Sequence, residues 1–367
     1  MTDSAMFRAM LSLSVLAMAA PVAKAQTATV YGLIDVSVEH VTRVGTAGSG
    51  LTRVPSLTGA LPSRIGIRGS EDLGGGIRAQ FAIEQGFAPD QGTLTQGGRG
   101  WGRQAWVGLT APWGTVSLGR QYTMLFWSLL EADVMGPALY GTGSLDAYIP
   151  NARVDNSIAY RGSFDGLMLG ATFSLGRDAV NAGSAAGTHC AGEVAGDRKA
   201  CGEWSVLAKF DTPAWGAALA IDEIRGGTGA LFGLNSSALT DRRTSVNGYL
   251  KLSGVKLTAG LLRRDNGGSA TTPKSDLWYG GVSWPVSAAL TLDAGWHTLR
   301  IKNGSSVTLT AMRASVALSR RSAVYAQGGH ISNSAGSALS VSAGAGGSSP
   351  APGGSQSAVA AGIRHSF

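Results

Sequence analysis

Read backwards from Phe367, the chain alternates with period two. Phe367, His365, Ile363, Ala361 and Val359 fall on one side of an extended segment, and Ser366, Arg364, Gly362, Ala360 and Ala358 on the other. Ending such a segment on an aromatic ring suits a membrane–water interface, where aromatic side chains form a girdle. A soluble domain more often ends in frayed polar residues. No run of about 18 apolar residues occurs after residue 25, so a membrane-spanning helix is excluded. Strands are what remain, and strands in lipid must close on themselves to satisfy every backbone donor and acceptor. The expected class is all-β: a transmembrane antiparallel β-barrel.

The first residues belong to export rather than to the fold. Arg8 precedes the apolar stretch Ala9 to Ala20, and Ala23-Lys24-Ala25 forms a small-residue cleavage site before Gln26. Residues 1–25 are therefore expected to be a cleaved signal peptide, with residues 26–367 forming a single barrel domain. Removing them changes the formal charge from +7 to (30 − 2) − (23 − 1) = +6. The basic residues are scattered singly, which argues against nucleic acid as a partner. Charged residues make up only 14%, while hydrophobic residues reach 44%, so the composition is not that of a disordered chain. Cys190 and Cys201 flank ten residues of polar, Gly-rich sequence. In an oxidising compartment they are a candidate disulfide closing an external loop; the alternative is two unrelated thiols. His189 alone does not make a metal site of them.

Sixteen strands are predicted, at about 28–40, 63–70, 77–87, 101–110, 115–123, 153–162, 167–176, 203–211, 216–225, 242–253, 255–266, 275–284, 289–301, 306–318, 323–333 and 355–367. The count is even, as single-chain bacterial barrels require. Short connectors such as Ala111-Pro112-Trp113-Gly114 and Ser163-Phe164-Asp165-Gly166 carry turn residues. They alternate with long segments at 41–62, 124–152, 177–202, 226–241 and 334–354, the expected asymmetry between periplasmic turns and external loops. The segment 334–354 is nearly all Ser, Gly and Ala and is expected to be a mobile external loop.

Along the strands one face is apolar and the other charged. Ile65 and Ile67 oppose Arg64 and Arg68; Ile77, Ala79, Phe81 and Ile83 oppose Arg78, Gln80 and Glu84. Charge at a bilayer midplane costs ~2–4 kcal/mol, so the charged face must line a polar, wet lumen. Asp35, Arg68 and Arg78 are read as lumen-facing on this ground.

Several motifs carry a family resemblance. They are Tyr31-Gly32-Leu33-Ile34-Asp35, the run from Ser63-Arg64-Ile65-Gly66 through Ser70-Glu71-Asp72-Leu73-Gly74, Gly102-Arg103-Gln104-Ala105-Trp106, Gly119-Arg120-Gln121-Tyr122, Arg153-Val154-Asp155-Asn156 and Gly362-Ile363-Arg364-His365-Ser366-Phe367. In order and over nearly the whole chain, they resemble the trimeric general porins of Gram-negative bacteria. The resemblance implies a sixteen-stranded homotrimer in the outer membrane, in contact with lipid and lipopolysaccharide, delivered to the assembly machinery by its C-terminal strand, and admitting small hydrophilic solutes. It implies no cofactor and no metal. It also implies that a third external loop, here 124–152, folds into the lumen against a basic wall, expected at Arg64, Arg103 and Arg153, with Arg120 near the loop's root. Glu131 and Asp133 are the expected acidic residues of the loop, facing that wall. Where family members carry a further carboxylate, this chain has Gly136-Pro137-Ala138-Leu139-Tyr140, and the loop is rich in apolar residues. The expectation is a modest anion preference.

Two other readings compete. A barrel hydrolase needs a histidine placed beside a nucleophile, and His40, His189, His297, His330 and His365 show no such motif; each is expected at a strand end or interface. A solute-specific channel or an adhesin is the second. Trp101, Trp106, Trp113 and Trp127 cluster near the loop, and parity with Arg103 puts Trp106 on the outer face.

Overall fold

The computed structural model describes residues 27–57, 61–136, 138–179, 187–302, 304–334, 336–343 and 346–367. The expected signal peptide lies outside them. Eighteen strands form one antiparallel sheet, of which two, Ser49–Arg53 and Thr93–Leu94, are short returns at the rim. The other sixteen span the barrel: Thr27–Val44 (β1), Arg64–Gly74 (β2), Ile77–Ala88 (β3), Gln104–Ala111 (β4), Gly114–Tyr122 (β5), Arg153–Phe164 (β6), Leu167–Gly176 (β7) and Glu203–Asp211 (β8). They continue as Trp215–Arg225 (β9), Thr240–Leu252 (β10), Val255–Asn266 (β11), Lys274–Pro285 (β12), Leu290–Ile301 (β13), Ser306–Ala317 (β14), Ser322–Asn333 (β15) and Ser355–Ser366 (β16). Each pairs with its neighbour in sequence, and β1 pairs with both β2 and β16, so no edge is left open.

Closure is secured at the last residue. Phe367 exchanges two backbone hydrogen bonds with Gly32, each 3.1 Å. Its ring lies over that glycine: a Cβ at position 32 would stand 2.2 Å from the ring Cζ, so only glycine fits. Val359, Ile363 and Phe367 are 60%, 52% and 41% exposed, the outward face the terminal alternation predicts. Val38, Leu118, Met312 and Val246 share that outer surface. In lipid such exposure is the burial of apolar groups by another solvent.

The lumen side is polar and closely bonded. Asp35, Ser37 and Glu39 of β1 are buried, and the Tyr325 hydroxyl donates to Asp35 at 2.6 Å. Arg68 stacks over the Tyr31 ring at 5.3 Å. Arg78 sits near the rim end of β3, paired in register with Asp72 and Thr110. Among the described residues no helix is long and apolar enough to cross a membrane.

Two long loops are tied inward. Cys190 and Cys201 are joined by a disulfide, and Arg177 donates its backbone N–H to Cys201 O at 2.9 Å. The described part of 334–354 departs from a mobile loop. Ser340, Val341, Ser342 and Ser348 are buried, Gln356 bonds both Ser340 and Val341, and Arg53 donates to Ser342 O. Small side chains let this segment lie flat against its neighbours, so low complexity serves close packing here rather than freedom.

Candidate functional site: the lumen constriction

Residues 124–152 leave β5 and return to β6 without staying at the rim. They contain two short helices, Met124–Leu129 (α1) and Thr142–Leu145 (α2), and a 3-10 turn at Ile149–Asn151. Leu125, Leu129, Met135, Tyr140 and Ile149 are fully buried, packed in one cluster with Ile224, Leu262, Leu277, Leu309 and Ile331 from five strands. Polar ties reach further round the ring. Tyr140 donates to Glu39 at 3.0 Å, Tyr148 to Asp222 at 2.9 Å, Arg243 to Asp146 at 2.7 Å and Arg313 to Val134 O at 2.9 Å. The strand partners sit on β1, β9, β10 and β14. A segment can meet strands from so many sides only by lying inside the barrel.

This anchoring corrects two expectations. Asp133 does not face the basic wall: it is buried, accepts the backbone N–H groups of Met135 and Thr142 at 3.0 and 2.9 Å, and lies 3.3 Å from His297 Nε2 on β13. Glu131 pairs with Lys256 of β11 at 2.5 Å. Asp133 holds the loop's shape, because a loop buried in the lumen must satisfy its own turn N–H groups, and Glu131 ties the loop to β11 through Lys256. His297 is accordingly a buried partner of the loop, 1% exposed, rather than a strand-end residue. Burial raises the Asp133 carboxyl, yet His297 and the Thr142 amide outweigh it and hold it below its usual range. Burial likewise opposes ionisation of Asp146, but Arg243 and Arg264 win and hold it at about 2.

The basic wall itself assembles from β2, β3, β5, β6 and the segment before β4. Arg64, Arg103 and Arg153 line one cavity of about 280 Å³ together with Glu84 and Tyr122. Arg103 donates to Glu84 Oε1 at 2.6 Å and to the Tyr122 hydroxyl at 2.6 Å. Arg153 donates to the same hydroxyl at 2.9 Å and stacks over its ring at 4.4 Å. Arg64 Nε lies 3.7 Å from Glu84 Oε2, which also accepts from the Tyr31 hydroxyl at 3.0 Å. Three guanidiniums against one carboxylate leave a formal surplus of +2 on this side.

Arg120 is placed elsewhere. It donates to Asp155 at 2.5 Å and to Gly102 O at 2.8 Å, in a group where Arg99 bridges Asp155 and Asp178 at 3.0 and 2.8 Å. The reason is local. Pairing steps from Gly119–Ser157 to Gln121–Val154, so β6 holds one residue more than β5, and Asn156 takes φ 46° at this bulge. Alternation cannot be counted across it. Similarly, β4 begins at Gln104, so Arg103 lies in irregular chain and has no parity with Trp106. Trp106 faces inward: its indole donates to Gln104 at 3.0 Å, and it borders a small lumen cavity with Trp127 and Arg161. Val107 and Leu109, 57% and 47% exposed, mark the outer face.

Sequence alone puts Glu84 on the polar face but does not identify it as the wall's acid, nor Tyr122 as the hydroxyl shared by two arginines. Their link is across strands and leaves no local sequence signal. Among the described residues, no group of three or more His, Cys, Asp or Glu is placed to hold a metal ion.

A closed sixteen-stranded barrel, apolar outside and charged inside, with its lumen narrowed by an internal loop against a basic wall, defines an outer-membrane pore protein. A sequence model of the family described as Gram-negative porin matches residues 12–336. The chain belongs to that family. It is 28% identical to outer membrane porin protein 32 of Delftia acidovorans over 382 residues, covering 99% of this chain and 100% of the relative. It is 29% identical to an outer membrane porin protein of Bordetella pertussis, covering 79% of this chain and 74% of that one. In fold it is similar to the anion-selective porin from Comamonas acidovorans, with a TM-score of 0.74 and 22% identity over 94% of this chain and 100% of the other. The OmpF porin of Salmonella typhi superposes with a TM-score of 0.63 at 13% identity, covering 93% of this chain and 97% of that chain. The chain is thus an outer-membrane porin, and the hydrolase reading falls with the family assignment.

Proposed function

We propose that the barrel is a water-filled channel for passive diffusion of small hydrophilic solutes, with a modest preference for anions set by Arg64, Arg103 and Arg153. The supporting observation is the formal surplus of +2 on the wall opposite the loop. Arginine stays ionised at any workable pH, and a low-dielectric wall focuses its field into the passage. At about 4 Å, one charge pair is worth ~1 kcal/mol in water and about 4 kcal/mol at an effective dielectric of roughly 20. That range discriminates between ions without trapping them. The loop adds no counter-charge on this side, since Glu131 and Asp133 are bound elsewhere.

The reading extends to assembly. It takes residues 1–25 as a cleaved signal peptide, residues 26–367 as one domain set in outer-membrane lipid and lipopolysaccharide, and the β16 strand as the handle for barrel assembly. It takes the working unit as a homotrimer, as in the solved OmpT of Vibrio cholerae described as a trimer form, which shares 14% identity over 94% of this chain. The test is the purified protein in a planar bilayer across a potassium chloride gradient. Stepwise conductance with a zero-current potential favouring chloride is expected; a potential favouring potassium would contradict the assignment of control to the arginines.

A further inference from the structure

The basic cavity has a second chemistry. Beside the guanidiniums its lining includes Leu61, Pro62, Phe126, Leu130, Ala138 and Pro150. Leu61 and Leu130 are 36% and 39% exposed. Both lie between strands, outside the spanning segments, so neither exposure is explained by lipid. The apolar and basic sides are physically continuous. The Phe126 ring stacks on Tyr122 at 4.0 Å, and the Tyr122 hydroxyl holds Arg103 and Arg153. Arg153 is 2% exposed, and its Nε has no hydrogen-bond partner among the described residues. The loop's Glu131 and Asp133 are bound to Lys256 and to Thr142, and the loop residues lining the cavity are Phe126, Leu130, Ala138 and Pro150.

Chloride uses only half of such a surface. Resting on the anion-preferring channel proposed above, we propose that this cavity is a transit site for small organic monoanions with a compact apolar body. A carboxylate would be drawn by the surplus charge of Arg64, Arg103 and Arg153 and would meet Arg64 first, whose side chain is 25% exposed and whose planar fork suits it. The body would cover Leu61, Phe126 and Leu130. A ring has a particular fit here, since it can continue the Phe126–Tyr122 stack and meet the Arg153 guanidinium face. A volume of about 280 Å³ holds one such molecule, not a chain of them.

Benzoate and acetate are the probes, being carboxylates of equal charge that differ in the apolar body. In single-channel recordings of the intact barrel in potassium chloride, added benzoate is expected to reduce chloride current at concentrations at least roughly ten-fold below acetate. Removing one methylene's worth of apolar cover from the cavity should raise the benzoate concentration required by about four-fold. Leu130→Ser and Phe126→Leu should therefore each bring the two probes closer together. Because both probes are compared within one variant, a change in overall conductance does not disturb the ratio. Equal action of benzoate and acetate on the unaltered protein, or a ratio that survives Leu130→Ser and Phe126→Leu together, would overturn the proposal. The two readings separate cleanly: a chloride-favouring potential with benzoate equal to acetate sinks the organic-anion site alone. A potassium-favouring potential sinks the anion preference and this site with it.

Discussion

At the level of single residues, the constriction is a balance in which one acid, Glu84, moderates three arginines. Glu84→Gln removes that acid and raises the local surplus from +2 to +3. Its zero-current potential is expected to move further toward chloride, by an amount comparable to one charge at about 4–6 Å, ~1 kcal/mol or somewhat more. A shift toward potassium would show that Arg103 depends on Glu84 for its position. The arginines are legible in sequence because β2 and β6 open on motif residues, whereas their partners are not. Asp133 reads in sequence as a pore carboxylate, and only three-dimensional packing shows it consumed by Met135, Thr142 and His297. Trp106 misleads for a simpler reason: period-two counting from Arg103 fails across the start of β4.

For the elements, the sixteen strands are legible to within a few residues, since a barrel in lipid writes its two faces into every strand. The internal loop is not. Its apolar content signals packing, but not against which strands. Leu125 and Leu129 are fully buried in that packing. Leu125→Ala is expected to loosen the loop by ~2–5 kcal/mol without unfolding the barrel, whose ladders it does not touch. Larger or noisier open-channel current at unchanged heat resistance of the barrel is the measurement that shows this. The loop should also respond to acid. The Asp146 carboxyl ordinarily titrates near ~3.9 and is held at about 2 by Arg243 and Arg264 despite burial. Its folded value is depressed, so its contribution, about 2 kcal/mol, is complete above pH ~4 and lost as pH falls through about 2. Quiet current down to about pH 4 and rising noise below it are expected, with Asp146→Asn noisy already at neutral pH. Noise beginning above about pH 5 in the unaltered protein would assign the loop's hold to another group.

For the whole molecule, one ring of hydrogen bonds closes the sheet, one strap crosses its interior, and three arginines line a cavity beside that strap. The seam between β1 and β16 ends in the fit of Phe367 over Gly32. Phe367→Ala keeps the backbone bonds and removes the ring, so slower folding into detergent or lipid is expected, with little change in conductance of barrels that do form. The architecture is legible from alternation along the strands together with the short and long connectors, since closure and lipid exposure leave few alternatives. Charge distribution across the lumen is not legible in the same way, because it depends on which acids the loop and walls consume. In the proposed reading that distribution sets the selectivity. It is probed by the zero-current potential in a potassium chloride gradient, for the unaltered barrel beside the combined Arg64→Ala, Arg103→Ala, Arg153→Ala variant. The expected result is a chloride-favouring potential that collapses to zero or reverses toward potassium in the variant. An unchanged potential in a correctly folded variant would show that the three arginines do not control the passage of ions.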